Sequence, residues 1–283
     1  MSLFVFLAVL FAACCHAGWN ASIKRTLDPL ATTVLIAIGA GLVALPAIPF
    51  AGWPQLPAWP WLIASIVIHL FYFGGLAESY RAGDMGQVYP IARGAAPLMT
   101  ATITTLFVGE QLGFYGWSGI VLLAAGVLLL SLRGGRDLAK LDLQAVGFAL
   151  FTAITVCAYS VVDGIGARAA GPGLATAYST VLFVGIAPVI VAYALVRRGF
   201  AIVPAMMPFW KVGLGGGALA VISYSIAIWA MTLAPIAIVA ALRETSVLFG
   251  AIIAVAILKE PLRPARIVAA LMIVLGLACL RLA

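Results

Sequence analysis

The chain has 283 residues, 65% of them hydrophobic and only 9% charged, with 29 glycines and a formal net charge of +7; its mean hydropathy is +1.18. Soluble domains carry charge on roughly a quarter of their residues, so this is the composition of a membrane protein. With about 20 apolar residues per helical span, ten spans would occupy about 200 positions and leave no room for a soluble catalytic, nucleotide-binding or DNA-binding domain. The excess of Lys and Arg is what the cytoplasmic loops of membrane proteins carry, so it asks for a lipid bilayer and for no nucleic acid.

In chain order, runs without loop-type charge fall at 2–20, 30–50, 59–79, 87–109, 113–132, 143–163, 174–196, 209–232, 235–258 and 264–282. They are too long and too continuously apolar for the alternating strands of about ten residues that build a membrane barrel. They are therefore predicted to be helices, which satisfy their own backbone in lipid. Turn residues separate them, as at Asp28-Pro29, Pro54 to Pro60 and Gly171-Pro172-Gly173. Trp53, Trp59 and Trp61 cluster at one boundary, as interfacial aromatics do. The first run ends Phe11-Ala12-Ala13-Cys14, like a cleavage site, but no basic residue precedes Lys24; without a basic n-region it is read as a span. Cys14, Cys15, Cys157 and Cys279 lie in apolar runs without ligand spacing. No disulfide framework, metal or other cofactor is expected from them.

The chain contains an internal repeat. Arg93 falls on Arg243, Glu110 on Glu260, Leu112 on Leu262 and Gly126 on Gly276 at one offset of 150 residues. The repeats are placed at 1–134 and 143–283, five spans in each. An odd number of crossings inverts the second half relative to the first. The cations agree. Twelve of the sixteen lie in the odd-numbered connections, from Lys24 and Arg25 to Arg263 and Arg266, whereas Arg168 and Arg281 alone serve the even connections and termini. By the positive-inside rule the odd connections are cytoplasmic and both termini extracytoplasmic. Inverted repeats are the construction of many secondary transporters, with the substrate near the midplane where the halves meet.

Charge within the hydrocarbon costs about 2.5 to 3.5 kcal/mol on insertion scales, which singles out Arg93 and Arg243. Arg93 lies about 9 Å of helical rise into its span, behind Tyr89-Pro90. Two readings stand. Either the two arginines face an aqueous cavity and attract a carboxylate or phosphate with their forked guanidinium, or they snorkel or pair with an acid. Glu244 is no automatic partner for Arg243, because adjacent residues point different ways around a helix. Glu110 and Glu260 close the fourth and ninth spans, where a carboxylate is disfavoured by the helix dipole, so a capping role with a compensating partner is expected. Glu78 and Asp84 flank Arg81 as a solvated local ion pair. His16 and Trp19, nearly joined by Asn20, share a face of the first span, answered in the sixth by Tyr159, Ser160 and Asp163. This stripe lines a cavity, where His16 is able to titrate, or it serves helix-to-helix hydrogen bonds. His69, Tyr72 and Phe73, facing Ser223 and Tyr224 across the repeat, form a second polar and aromatic set. Gly213-Leu214-Gly215-Gly216-Gly217 has the small-residue spacing of close helix packing. No phosphate loop, HExxH or serine elbow is present, so no enzyme is expected.

The patterns "VYPIARGAAPL…FVGEQL" and "ALRETSVLFGAIIAVAILKEPL", in this order and duplicated over ten spans, resemble the EamA-like family of the drug/metabolite transporter superfamily. The resemblance implies an all-α membrane protein of two inverted five-helix repeats. It implies a secondary carrier of the bacterial inner membrane, often an exporter of amino acids or related metabolites, as monomer or homodimer, with protons as a candidate coupling ion. It implies a cavity lined by the first, third and fourth helices of each half. The residues expected there are His16, Trp19, Tyr72, Tyr89, Arg93, Tyr224 and Arg243. Two arginines favour a substrate with an acid group. The competing readings are an intramembrane lipid-modifying enzyme, which would want clustered catalytic side chains, and an accessory subunit, which would not need paired intramembrane arginines.

Overall fold

The computed structural model describes residues 1–23, 29–82, 85–131, 143–256 and 264–283, and among them no strand occurs. The first half contains α1 (Leu3–Ile23), α2 (Pro29–Ala44), which runs through a 3-10 turn into α3 (Ile48–Ala51), α4 (Trp59–Ala82), α5 (Met85–Ile103) and α6 (Phe114–Ser131). The second contains α7 (Leu143–Ala169), α8 (Ala175–Arg198), the short α9 (Ile202–Met206), α10 (Trp210–Met231), α11 (Ile236–Arg243), α12 (Ser246–Ala256) and α13 (Pro264–Leu282). Eight stretches among the described residues are long and apolar enough to cross a membrane, one of them, Ala175–Met231, holding both α8 and α10. The chain is a multi-pass membrane protein. Ile267, Val268, Leu271, Val274 and Leu275 of α13 are exposed, as side chains facing acyl chains are.

Two runs expected as continuous helices are interrupted. After α5 the chain widens into a π-helical turn at Thr104–Val108, closed by Gly109 at a left-handed φ of 76°. That conformation suits glycine, which has no Cβ to clash. The run expected at 235–258 breaks between α11 and α12. There the amides of Glu244 and Thr245 turn to carbonyls three residues back, at 3.0 and 3.1 Å, and the Thr245 hydroxyl donates to the Leu242 carbonyl at 2.7 Å. A local side-chain bond of this kind competes with the helical ladder.

The helices pack largely across the halves: α1 on α10 and α4 on α7; α2 on α10 and α4 on α8; α5 on α7 and α1 on α11 and α12; α2 on α8; α6 on α13. The Gly-rich run serves packing, as its spacing suggests. A Cβ on Gly39 would stand 2.0 Å from the Gly213 carbonyl oxygen, and one on Gly217 would stand 2.3 Å from the Ala40 nitrogen, so α2 and α10 meet backbone to backbone. Gly119 and Gly276 do the same for α6 and α13, where a Cβ on either would lie 2.9 Å from the other's carbonyl oxygen.

Several connections meet at one end of the bundle. Arg281 donates to the Met1 carbonyl at 2.9 Å, Gln55 N–H to the Ala170 carbonyl at 3.1 Å, and Arg168 to both Glu110 and the Ala234 carbonyl. Trp53 and Trp59 stack beside this end of α4, with ring centroids 6.3 Å apart. All four cysteines are free thiols, with Cys15 and Cys157 buried.

Candidate functional site

Two polar clusters lie inside the bundle, and both join elements of the two halves. The first is built on α1. One turn separates His16 from Trp19, and their rings meet edge to face with centroids 5.0 Å apart. The Trp19 indole N–H points to His16 Nδ1 at 3.3 Å, and Asn20 donates to the His16 carbonyl. From α5, Arg93 brings Nη2 to 3.0 Å from His16 Nε2. Both partners of the imidazole are donors, and a neutral imidazole has one acceptor nitrogen, so His16 accepts from one of them at a time. Arg93 Nη1 donates to Glu244 Oε1 at 3.2 Å and Oε2 at 3.4 Å. This ion pair is dry, with the side chains 6% and 5% exposed. It crosses the repeat: the acid that follows Arg243 answers the arginine of the first half.

The second cluster surrounds Asp163 on α7, which has no exposed surface. Tyr178 of α8 donates its hydroxyl to Oδ1 at 2.9 Å, and Tyr224 of α10 donates to Oδ2. His69 of α4 stacks on Tyr159 with ring centroids 4.5 Å apart. Its Nδ1 lies 2.9 Å from the Ser65 carbonyl oxygen. That oxygen only accepts, so Nδ1 carries the hydrogen and Nε2 is the acceptor of the neutral ring. Tyr72 completes the aromatic wall, 5.6 Å from Tyr159 and 6.5 Å from His69. Ser223 instead ties α10 to α1 by donating to the Ala12 carbonyl at 2.7 Å.

Arg243 stands between the clusters, at the break where α11 ends. Its guanidinium lies over the Tyr224 ring, 4.7 Å from the centroid, a cation–π contact. It interacts electrostatically with both His16 and His69. The residue is 6% exposed, and among the described residues its Nε, like Ser246 Oγ one turn on, is buried without a hydrogen-bond partner. Buried donors are satisfied in the great majority of structures.

Sequence reasoning placed His16, Trp19, Tyr72, Arg93, Tyr224 and Arg243 together, and the structure brings them into these two adjoining clusters. Tyr89 lies on α5, but its side chain is outside the described residues, as are those of Glu78 and Arg81 and the whole of Asp84 and Glu260. The pairing of Arg93 with Glu244 changes the reading of the arginines: Arg93 is already neutralised. Glu244, Tyr178 and Ser65 were not among the expected lining residues, whereas Asp163 belonged to the stripe of the sixth span, for which a cavity lining was one of two readings. Asp163 carried a legible signal, a carboxylate deep in an apolar run opposite the His16 stripe. Tyr178 and Ser65 carried none.

Glu110 does cap a helix, though not its own. Its two oxygens accept from the amides of Ile236 and Ala237, at 2.7 and 3.3 Å, at the N-terminus of α11, where the dipole favours an anion. Arg168 closes the arrangement by donating Nη2 to Glu110 at 2.7 Å and to Ala234 at 3.1 Å, and Nε to Met231 at 2.9 Å.

Residues 3–132 match the model of the EamA-like transporter family. A solved structure described as "Crystal structure of protein" superposes with a TM-score of 0.75 over 99% of this chain and 96% of that one, at 17% identity. At that identity the likeness is one of fold. No curated protein matches the chain.

Proposed function

Because the chain belongs to the EamA-like transporter family through its first half, we propose that it is a secondary transporter that exports a small polar metabolite, an amino acid or organic acid, across the bacterial inner membrane. In this reading it has ten spans in two inverted repeats, 1–134 and 143–283, and alternates access to a cavity between them. The packing supports the repeat. Exchanging the two halves turns α1 on α10 into α7 on α4, α2 on α10 into α8 on α4, and α5 on α7 into α11 and α12 on α1, and each of these contacts is present. The 57-residue apolar stretch divides into α8 and α10, and the 18-residue α6 supplies the remaining span. The joined connections support the topology. Those around Gln55, Glu110, Ala170 and Ala234, together with both termini, meet at one end, and these are the even-numbered connections poor in cations. They form the extracytoplasmic face.

The observation that carries the substrate reading is Arg243: a buried guanidinium, supported by Tyr224 and with Nε unpartnered, at the broken ninth span. Discontinuous helices form such sites in other carriers. A carboxylate or phosphonate oxygen would satisfy Nε and Ser246. The test is a thermal-shift screen of the detergent-purified protein against amino acids, organic acids and phosphonates. A ligand at 100 times its Kd stabilises by about 2.7 kcal/mol. One anionic class is expected to raise the melting temperature of the wild type and to leave Arg243→Gln unmoved. An equal shift in both proteins refutes the assignment.

A further inference from the structure

Among the described residues, four charged residues are buried within the bundle, Arg93, Asp163, Arg243 and Glu244; the Glu110 side chain, 6% exposed, is paired with Arg168 at the end of the bundle. Arg93 and Glu244 close on each other at 3.2 Å. That leaves Arg243 and Asp163 as the balancing pair, and they do not touch. The Tyr224 ring stands between them, with its hydroxyl on the carboxylate and its face under the guanidinium. We propose that Asp163 is a proton-binding site of the carrier, and that protonating it frees the charge of Arg243 for an anionic substrate.

With Asp163 ionised, the four charges sum to zero, and an anion entering at Arg243 would add an uncompensated negative charge to a medium where that is costly. With Asp163 protonated, the interior carries one excess positive charge, which an anion balances. Proton and anion therefore bind and cross together, so export on this scheme runs down the anion's own outward gradient. Each raises the affinity for the other by the same factor, as linkage requires. The inference rests on the reading of Arg243 as the anion site.

The hydrogen bonding accommodates both states. A tyrosine hydroxyl donates and accepts, so protonation of Asp163 is met by rotating the hydroxyl of Tyr178 or Tyr224 from donor to acceptor. The groups facing Asp163 come from the helices packed on α7 and from α7 itself. His69 comes from α4, Tyr178 from α8 and Tyr224 from α10; Arg243 of α11 lies behind Tyr224, and α7 itself adds Tyr159. The charged residue of α5, Arg93, is turned to Glu244. His69 is the other titratable group within electrostatic reach. Its ring is held through Nδ1 by the Ser65 carbonyl and stacked on Tyr159 as a neutral imidazole, so it is not the balancing charge.

Two measurements on the purified full-length protein test this. Infrared difference spectra between high and low pH are expected to show a protonated-carboxyl band that Asp163→Asn lacks; identical spectra overturn the proposal. Should that variant not fold, Tyr178→Phe keeps the carboxyl and removes a donor to its ionised form, so the band is expected at higher pH than in wild type, and an unmoved band overturns it. The second measurement titrates methanesulfonate and taurine, whose sulfonate charge is constant with pH. Wild-type affinity is expected to rise roughly 5- to 150-fold as the carboxyl band develops, the range typical of coupled sites. Asp163→Asn is expected to hold the low-pH affinity throughout, while His69→Gln keeps the dependence. A dependence that survives in Asp163→Asn overturns the proposal. If neither sulfonate binds wild type, the anion reading of Arg243 fails for this class, and the carboxyl band alone decides the proton site.

Discussion

Arg93 and Arg243 stand 150 residues apart, at matched positions of the proposed repeats, yet their surroundings are opposite. Arg93 is clamped by Glu244 and His16, whereas Arg243 rests on an aromatic face with its Nε unanswered. The next residue explains the difference. In the first half it is Gly94, where a Cβ would stand 2.5 Å from the Leu128 side chain; in the second it is Glu244. Packing of α5 against α6 excludes a side chain at the first position. The single acid of the duplicated pair thus comes from one half, and it reaches across to the arginine of the other. In the proposed repeat, matched positions therefore hold one structural arginine and one available arginine.

The largest expected effect breaks the structural side of this comparison. Glu244→Gln removes the carboxylate that neutralises Arg93 and leaves its charge buried among side chains 6% and 5% exposed. Removing one partner of a buried pair costs about 3 to 5 kcal/mol, while replacing both with apolar residues of similar volume is often neutral or better. Glu244→Gln should therefore lower the apparent melting temperature sharply, and the double variant Arg93→Met/Glu244→Leu should recover it. Arg243→Gln should cost less in the same assay, because Arg243 makes no direct ion pair among the described residues and Asp163, the charge it balances, is able to take up a proton. Equal losses for Glu244→Gln and Arg243→Gln would mean that the two arginines are equivalent after all.

Much of this arrangement was legible in the sequence. Helical runs, their boundaries and the two arginines follow from hydropathy and from the cost of charge in lipid, terms that act along the chain. The partner of Arg93 was not legible, because it depends on which faces of α5 and α11 meet across the halves. The break at Glu244-Thr245 escaped for a related reason: the run around it is uniformly apolar, and a single threonine side chain bonding its own backbone leaves no trace in a hydropathy window. Asp163 stood out by type but not by role. Its meaning came from Tyr178, which nothing in the sequence set apart from a packing residue, and from Tyr224, expected at the cavity but not as a donor to a carboxylate; their hydroxyls converge on Asp163.

The smallest effects are expected where Glu110 and Arg168 join the halves at one end of the bundle, and they sharpen the comparison by asking what holds Arg243 in place. Glu110 caps α11, the eight-residue helix that ends in Arg243, so the first half fixes the start of the element that presents the available arginine. Glu110→Ala removes the acceptor of two amides and should cost about 0.5 to 2 kcal/mol, the range of lost N-caps. Arg168 is 36% exposed, so Arg168→Met should cost under about 1 kcal/mol. If the Glu110–Arg168 contact closes the proposed extracytoplasmic face, both substitutions should also raise the rate at which a cysteine placed at Ala234 reacts with a membrane-impermeant thiol reagent in a background where the native cysteines are replaced. The rise should be larger for Glu110→Ala, because it loosens the helix as well as the ion pair. An unchanged rate, with the melting temperature lowered as expected, would leave Glu110 as a cap alone and the gate elsewhere.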